Sequence, residues 1–465
     1  MRKRMILNYY EESLIKNSEL PPEWQSEKKL DDLEMFLQRN WEQRKVFYED
    51  DKIGKNQQFL SFTAHRGIRT NEYIGAISFN GSQLNIFPKM FREEPDDDDV
   101  SDLTQNHLMH NLVKWLEYCK KIFYPFINIS SQLNDENDLR EFFVTLFVGY
   151  VKSAVERGLF YRYVDRIENL HCIKGKFDFA DYFRSKIPNG EADRFLCTYS
   201  SFELDNQVNR IIKATCKLIY PTTSKRNQKI IRDVLIRMNE VSDVRCSPRD
   251  CDSIRLSKLH SNYKIIISMS KMFLLNKTSN YSIGNNESFC FLFPTNLLFE
   301  GFVGGFIQET LERFHGRTHL QVSDMHLIED IRYGNESLGA AFTMRHDILA
   351  TVNKKVFILD TKYKQISRFE GKPDEVKRIV SDEPKQTDIY QVCEYARKRN
   401  LNDVYLLYPM YRYENEEPFY PIARSKNGEG YIDIHFIRLP FVFEKNSDST
   451  EKNLKNVILG IFGLK

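Results

Sequence analysis

Three charged residues in one short stretch, FTMRHDILATVNKKVFILDTKYK (342–364), concentrate chemistry in this chain: Asp347, Asp360 and Lys362. Two β-rich runs flank Asn353-Lys354, and a two-residue hairpin turn there pairs positions whose numbers sum to 707, setting Asp347 opposite Asp360. Opposed residues on antiparallel strands have Cα atoms about 4.5 to 5.5 Å apart and face the same way, so both carboxylates can bind one hard cation such as Mg²⁺. Lys362, two residues on, lies on that face roughly 7 Å along the strand. Val356 and Ile358 share the face, so Asp360 and Lys362 are charged intrusions at the end of a buried pattern. Two carboxylates and an ammonium suit metal-assisted phosphodiester hydrolysis. The carboxylates fix the ion, the ion polarises the phosphoryl oxygen and acidifies a bound water, and the ammonium orients that water or stabilises developing charge. The plainer reading of the same spacing is an edge hairpin whose Asp and Lys form a cross-strand ion pair, which is worth little.

Two helices are placed to support this hairpin. NLLFEGFVGGFIQETLERF (296–314) has helical periodicity, with Phe299, Phe302, Phe306 and Phe314 as its core line and Glu300 off that line. Glu300 can add a carboxylate to the metal site, and Gly304-Gly305 would let the helix approach the sheet closely. Downstream, TDIYQVCEYARKR starts at Thr387 as N-cap and puts Gln391 and Tyr395 four apart on one side, where they can hold the lysine or a DNA backbone. His315 and His319 also stand four apart, but no third ligand accompanies them and Gly316 weakens the helix, so a zinc site is not expected.

Composition narrows the class of protein. The 465 residues include 67 Lys+Arg against 65 Asp+Glu, a net charge of +2, so any nucleic-acid contact must be regional. With 41% hydrophobic residues, 34 Phe and 24 Tyr, the chain is too apolar to be disordered and long enough for two or three domains. Eight scattered cysteines without zinc spacing point to buried, reduced thiols. The apolar stretch after the basic N-terminus is too short for a signal-peptide core, and the longest one, around residues 265–275, is below membrane-spanning length. A cytoplasmic location is expected.

Along the chain, residues 1–103 read as a β-rich domain that docks a partner, with Asn80-Gly81 as a hairpin turn inside YIGAISFNGSQLNIFPKMF. The acidic run EEPDDDDVSD (93–102) reads as a solvated loop. Residues 104–285 read as mainly helical, for partner and DNA contact. Between Asn209 and Arg237, eight basic residues face one acidic residue, with Lys225, Arg226 and Lys229 the densest group. Such a face can track phosphates by counterion release, or simply be a solvated helix surface. From 286 to 465 the order of helices and strands is that of an α/β domain.

The segments LFEGFVGGFI, MRHDILATVNKKVFILDTKYK and DIYQVCEYA resemble the nuclease domain of the McrC family. Its members are endonuclease subunits of McrBC-type 5-methylcytosine-specific restriction systems in the PD-(D/E)xK superfamily. Gln391-x3-Tyr395 is similar to the pattern of RecB-like members of that superfamily. YIGAISFNGSQLNIFPKMF, ERGLFYRY, IKGKFDF and SFELDNQVNRIIK look like further McrC landmarks, so the resemblance touches most of residues 60–410. It implies Asp347 and Asp360 as metal carboxylates, Lys362 as catalytic lysine, Glu300 as the helix glutamate and Gln391 as the downstream glutamine. The usual Pro before the first Asp is His346 here, read as structural because a strand turns it away from Asp347.

The resemblance also implies a partner, an McrB-like AAA+ GTPase ring that recognises modified double-stranded DNA. GTP would be bound there and not by this chain, whose Gly-Lys pairs at 54, 175 and 371 lack a phosphate-binding loop. The expected fold is thus an α+β N-terminal region followed by an α/β PD-(D/E)xK nuclease domain. The expected function is Mg²⁺-dependent DNA cleavage with stimulation of the partner's GTP hydrolysis. Two other readings stand beside it: a non-catalytic regulatory subunit, and a stand-alone nuclease.

Overall fold

The computed structural model describes residues 5–42, 56–93, 98–100, 103–119, 139–257, 260–281, 288–369, 372–412, 420–428, 430–444 and 449–464. Most of the acidic run at 93–102 lies outside them. The chain forms two compact units, one of residues 1–139 with 286–465 and one of residues 140–285. This corrects the boundary expected at 103. The N-terminal piece is not a separate domain but folds with the C-terminal part.

The discontinuous unit holds two main sheets. Its four-stranded sheet runs Ile6–Tyr10, Ser82–Phe87, Tyr73–Phe79, Phe289–Pro294. Asn80 and Gly81 make the hairpin turn with φ of 50° and 85°, as their residue types require. The last strand, FCFLFP, comes from beyond the other unit and pairs antiparallel with Tyr73–Phe79. It is buried on both faces, which explains its unbroken apolar run.

The six-stranded sheet runs Arg317–Ile328, Ala341–Val352, Lys355–Thr361, Asp403–Pro409, Gly430–Leu439, Ile422–Asn427. Its three middle strands, from Lys355–Thr361 to Gly430–Leu439, are parallel, and both flanks are antiparallel. The helix Gln386–Arg399 packs Val392, Cys393, Tyr395 and Ala396 into a core with Ile358, Val404, Leu406 and Phe436. It begins two residues earlier than Thr387 capping would give, with Lys385 as N-cap.

The helix Thr295–Glu312 uses its glycines on two sides. A Cβ on Gly304 would come within 2.9 Å of the Leu320 side chain in the sheet. On Gly301 it would lie 2.2 Å from Cys119 Sγ, and on Gly305 1.9 Å from the Tyr118 carbonyl, both at the end of the helix Gln105–Tyr118. Close approach to the sheet is therefore the work of Gly304, while Gly305 serves helix-on-helix packing. Trp115 of the latter helix stacks on Phe441 at 4.3 Å and donates its Nε1–H to the Phe441 carbonyl at 2.9 Å.

The unit of residues 140–285 is mainly helical, and it carries in addition a small sheet that the sequence reading did not place. The helices Leu139–Arg157, Gln207–Ile219, Lys225–Arg237 and Ser261–Tyr281 accompany a three-stranded antiparallel sheet in the order Arg162–Leu170, Phe195–Glu203, Lys176–Phe177. Tyr163, Ile167, Phe179, Phe183 and Phe202 of the strands and their connections are exposed. All eight cysteines are free, six of them buried. Among the described residues no helix is long and apolar enough to cross a membrane.

Candidate active site

The hairpin register is the expected one. The ladder runs from Val352↔Lys355 at the turn to Ile348↔Leu359, and Asn353 and Lys354 take positive φ of 50° and 65°, the backbone of a two-residue hairpin turn. One step beyond the ladder, Asp347 turns its carboxylate onto Thr361, accepting from the backbone N–H at 2.9 Å and from the hydroxyl at 2.8 Å. Gln321 Nε2 donates to its other oxygen at 3.3 Å.

Asp360 is 1% exposed, in a strand otherwise filled by Phe357, Ile358 and Leu359. Burial, and then the charge of Asp347, push its carboxyl up to about 7 against the pull of Lys362. Lys362 Nζ forms an ion pair with Asp360 Oδ2. Burial by itself lowers the pKa of the Lys362 ammonium, but the charges of Asp360, Asp347 and Asp388 outweigh it and hold the ammonium above its ordinary value. Lys362 Nζ also donates to Gln391 Oε1 at 3.2 Å. Gln391 Nε2 donates to the Tyr395 hydroxyl at 2.5 Å, and that hydroxyl donates to the Arg345 carbonyl at 2.7 Å. The chain of contacts thus returns to the strand that carries Asp347.

Four residues expected at the site, Asp347, Asp360, Lys362 and Gln391, are brought together in this way. Of the two roles expected for Tyr395, holding the lysine or a DNA backbone, it takes the first, acting on Lys362 through Gln391. At 4% exposure, under the His346 ring at 4.4 Å, it is a strut for Gln391 and not a surface for DNA. His346 is wholly buried, with Nδ1 3.3 Å from the Val322 carbonyl, and is structural as expected. Glu300 lies half-buried one turn before Gly304, on the helix that packs against the strands of the hairpin. Among the described residues no three His, Cys, Asp or Glu side chains are gathered closely enough to hold a metal ion. Glu300 is therefore not assembled with Asp347 and Asp360 into a three-ligand cluster. Its distance is set by helix packing, which strand register does not control.

Asp388 is the residue that sequence reasoning missed. It lies in the first turn of the helix Gln386–Arg399, 8% exposed, with Oδ1 4.0 Å from Lys362 Nζ and Oδ2 paired with Lys364. The lysine-bearing strand end thus meets a second carboxylate from across the core.

Of the basic run, Arg210 is forked onto Asp205 at 2.7 and 2.8 Å. Lys213 and Lys217 both reach Asp243, at 3.1 and 2.7 Å. Both acids lie just outside the window in which basic residues dominate. Lys225, Arg226 and Lys229 are exposed at the start of the helix Lys225–Arg237.

The family model described as McrBC 5-methylcytosine restriction system component matches residues 68–409. Among solved structures, a chain from a refined half-complex of the tetradecameric assembly of Thermococcus gammatolerans McrB AAA+ hexamers with bound McrC is similar, with a TM-score of 0.61. It is 15% identical, and the match covers 98% of this chain and 100% of that one. A chain of the Thermococcus gammatolerans McrBC complex aligns at 17% identity with a TM-score of 0.46, over 66% of this chain and 88% of its own. No curated protein matches the chain.

Proposed function

The chain belongs to the McrBC 5-methylcytosine restriction system component family, and from that premise we propose that it is the DNA-cutting subunit of such a system, a PD-(D/E)xK nuclease. The observation that carries this reading is the buried Asp360–Lys362 pair beside Asp347 at the end of the hairpin. A lysine and two carboxylates held in a largely apolar sheet are costly to fold without a task.

The donor set fits a hard divalent ion such as Mg²⁺, since Asp347 and Asp360 offer only oxygen atoms. Such an ion, when bound, supplies Lewis-acid activation of the phosphoryl group and a water of lowered pKa. The chain's own residues do the rest. Asp347 is fixed by the two donors of Thr361, so its free lone pairs are aimed before any ligand arrives. Lys362 is steered by Gln391, which Tyr395 holds against the Arg345 carbonyl, and its ammonium orients the attacking water and balances the charge developing on phosphate. Glu300, half-buried on the neighbouring helix, stands apart from Asp347 and Asp360 and is given no part in holding the ion.

The partner in this reading is an AAA+ GTPase; in the similar assembly McrC is bound to McrB AAA+ hexamers. The chain's own Gly-Lys pairs lack a phosphate-binding loop, so GTP belongs to the partner. The exposed aromatic and aliphatic side chains on the small sheet of residues 140–285 support docking of another protein. Lys225, Arg226 and Lys229 supply the DNA-facing charge.

The test is cleavage of methylated and unmethylated plasmid in Mg²⁺ by the full chain, alone and with its AAA+ partner and GTP. The expected result is cutting that requires partner and GTP and vanishes in Lys362→Ala, while GTP hydrolysis survives. A parent chain that accelerates GTP hydrolysis and never cuts would replace this reading with that of a regulatory subunit.

A further inference from the structure

Beside the site described above, the structure contains an acidic group that the nuclease reading does not use. Asp388 enters from the helix Gln386–Arg399, and its two oxygens face two different lysines of the strand end, Lys362 at 4.0 Å and Lys364 in an ion pair. The Lys362 ammonium therefore sits between two carboxylates, in contact with Asp360 and one short movement from Asp388. Counting charges, Asp347, Asp360 and Asp388 stand against Lys362 and Lys364, three against two.

A second observation marks the same place. Leu406 is the parallel neighbour of Asp360, and the Lys362 N–H donates to the Leu407 carbonyl at 2.8 Å, which brings Tyr408 alongside. The Tyr408 hydroxyl is buried, the residue 1% exposed, and it has no hydrogen-bond partner among the described residues. Burial, followed by the charges of Asp388 and Asp360, raises the pKa of this phenol, which keeps it a donor. A buried donor on the strand next to Asp360, unused in the arrangement shown, calls for a physical reason. A second arrangement of the lysine and the acids, in which that donor is taken up, supplies one.

We infer that Asp388 is a positioning residue that receives the Lys362 ammonium when Asp347 and Asp360 turn to a divalent cation. Two demands on Lys362 otherwise conflict. It neutralises Asp360 in the resting fold, yet a cation on Asp360 must displace it, and a displaced ammonium in a mostly buried site needs another acceptor. Asp388 is near enough to be that acceptor, and Gln391 already holds the ammonium from the same helix, so the lysine keeps its place beside the reacting phosphate. Lys364 holds the Asp388 carboxylate in position for the exchange. The Tyr408 hydroxyl then donates to whichever carboxylate the lysine leaves under-satisfied.

This inference rests on the nuclease reading, and the experiment separates the two. Mn²⁺ binding to the full chain is measured by electron paramagnetic resonance in a double-mutant cycle of Asp388→Asn and Lys362→Met. Asp388→Asn is expected to weaken Mn²⁺ about ten-fold in the parent, because the lysine then has no second place. In the Lys362→Met background the same substitution should change affinity less than two-fold, and Asp388→Glu should restore most of the parent's binding. An equal loss in both backgrounds would make Asp388 a ligand or a source of field and overturn the inference, as would no loss in the parent. A parent and a Lys362→Met variant that both fail to bind Mn²⁺ overturn the metal-dependent nuclease reading itself, and this inference with it.

Discussion

Tyr363, the residue after the site lysine, donates its hydroxyl to Glu11 Oε1 at 2.5 Å across 352 positions of sequence. The same oxygen accepts the Lys89 N–H at 2.9 Å, and Oε2 accepts the Thr295 hydroxyl at 2.5 Å. Glu11 is 0% exposed, and burial raises its pKa against the opposing pull of Lys89 and these donors. Glu11→Ala leaves three buried donors without an acceptor and is expected to cost about 3 to 5 kcal/mol, with Glu11→Gln costing less. Urea unfolding at fixed pH measures both, and a loss under about 1 kcal/mol for the alanine variant would contradict the keystone role.

Asp360 makes stability depend on pH. Its folded pKa of about 7 lies above the ordinary value of 3.8, so the folded state holds an extra proton in between, and folding loses stability as pH rises from about 4 to about 7. Asp360→Asn removes that slope. In chelator, its stability advantage over the parent is expected to grow across this window to about 2 to 4 kcal/mol and then level off. Parallel pH profiles of Tm for the two proteins would refute this.

The Tyr395 hydroxyl links Gln391 to the Arg345 carbonyl. Tyr395→Phe is expected to lower kcat for DNA cleavage about ten-fold with KM unchanged, at a stability cost of about 1 kcal/mol. A rise in KM alone would instead assign Tyr395 to DNA binding.

Gly305 has the Tyr118 carbonyl where its Cβ would stand, and Gly304 has only the end of the Leu320 side chain. Thermal denaturation should show Gly305→Ala losing about 3 kcal/mol or more and Gly304→Ala about 1 kcal/mol. Gly149, helical and with open space around it, should gain about 0.5 to 1 kcal/mol as alanine.

For Lys225, Arg226 and Lys229, fluorescence anisotropy at several salt concentrations decides between DNA contact and a solvated face. Replacing all three by Glu is expected to weaken DNA binding and flatten the log–log salt dependence by about 2 to 3 units. An unchanged slope would leave the helix face without a role in DNA binding.

The hairpin at 353–354 was legible because a two-residue turn fixes register, and register fixes every opposed pair. Asn80-Gly81 was legible for the same reason. The strand Arg317–Ile328 was not. Its alternation is broken where the register shifts between Val322 and Met325, near Gln321 with its positive φ of 55°. The strands Arg162–Leu170 and Phe195–Glu203 hid because only Cys197 among their apolar residues is fully buried, the rest being half-buried or exposed, so no strong apolar alternation marks a core face. Asp388 reads in sequence as an ordinary first-turn acid of a helix, and only tertiary packing brings it to Lys362 and Lys364. Glu11 gives no local signal, since each hydrogen-bond donor to its carboxylate is at least 78 residues away.

The division of the chain into an interrupted unit and an intervening one sets an order of events at the ribosome. The first sheet waits for Phe289–Pro294 to close its edge, and Glu11 waits for Tyr363. At about 5 to 20 residues per second, the 352 positions from Glu11 to Tyr363 take roughly 20 to 70 seconds to synthesise. A nascent chain that stops short of Lys355–Thr361 and Tyr363 has neither Asp360 opposite Asp347 nor the acceptor contact of Glu11 with Tyr363. The buried Glu11 cluster and the Asp347–Asp360 hairpin thus come together only after residues 11 to 363 have been synthesised, an order imposed by topology alone.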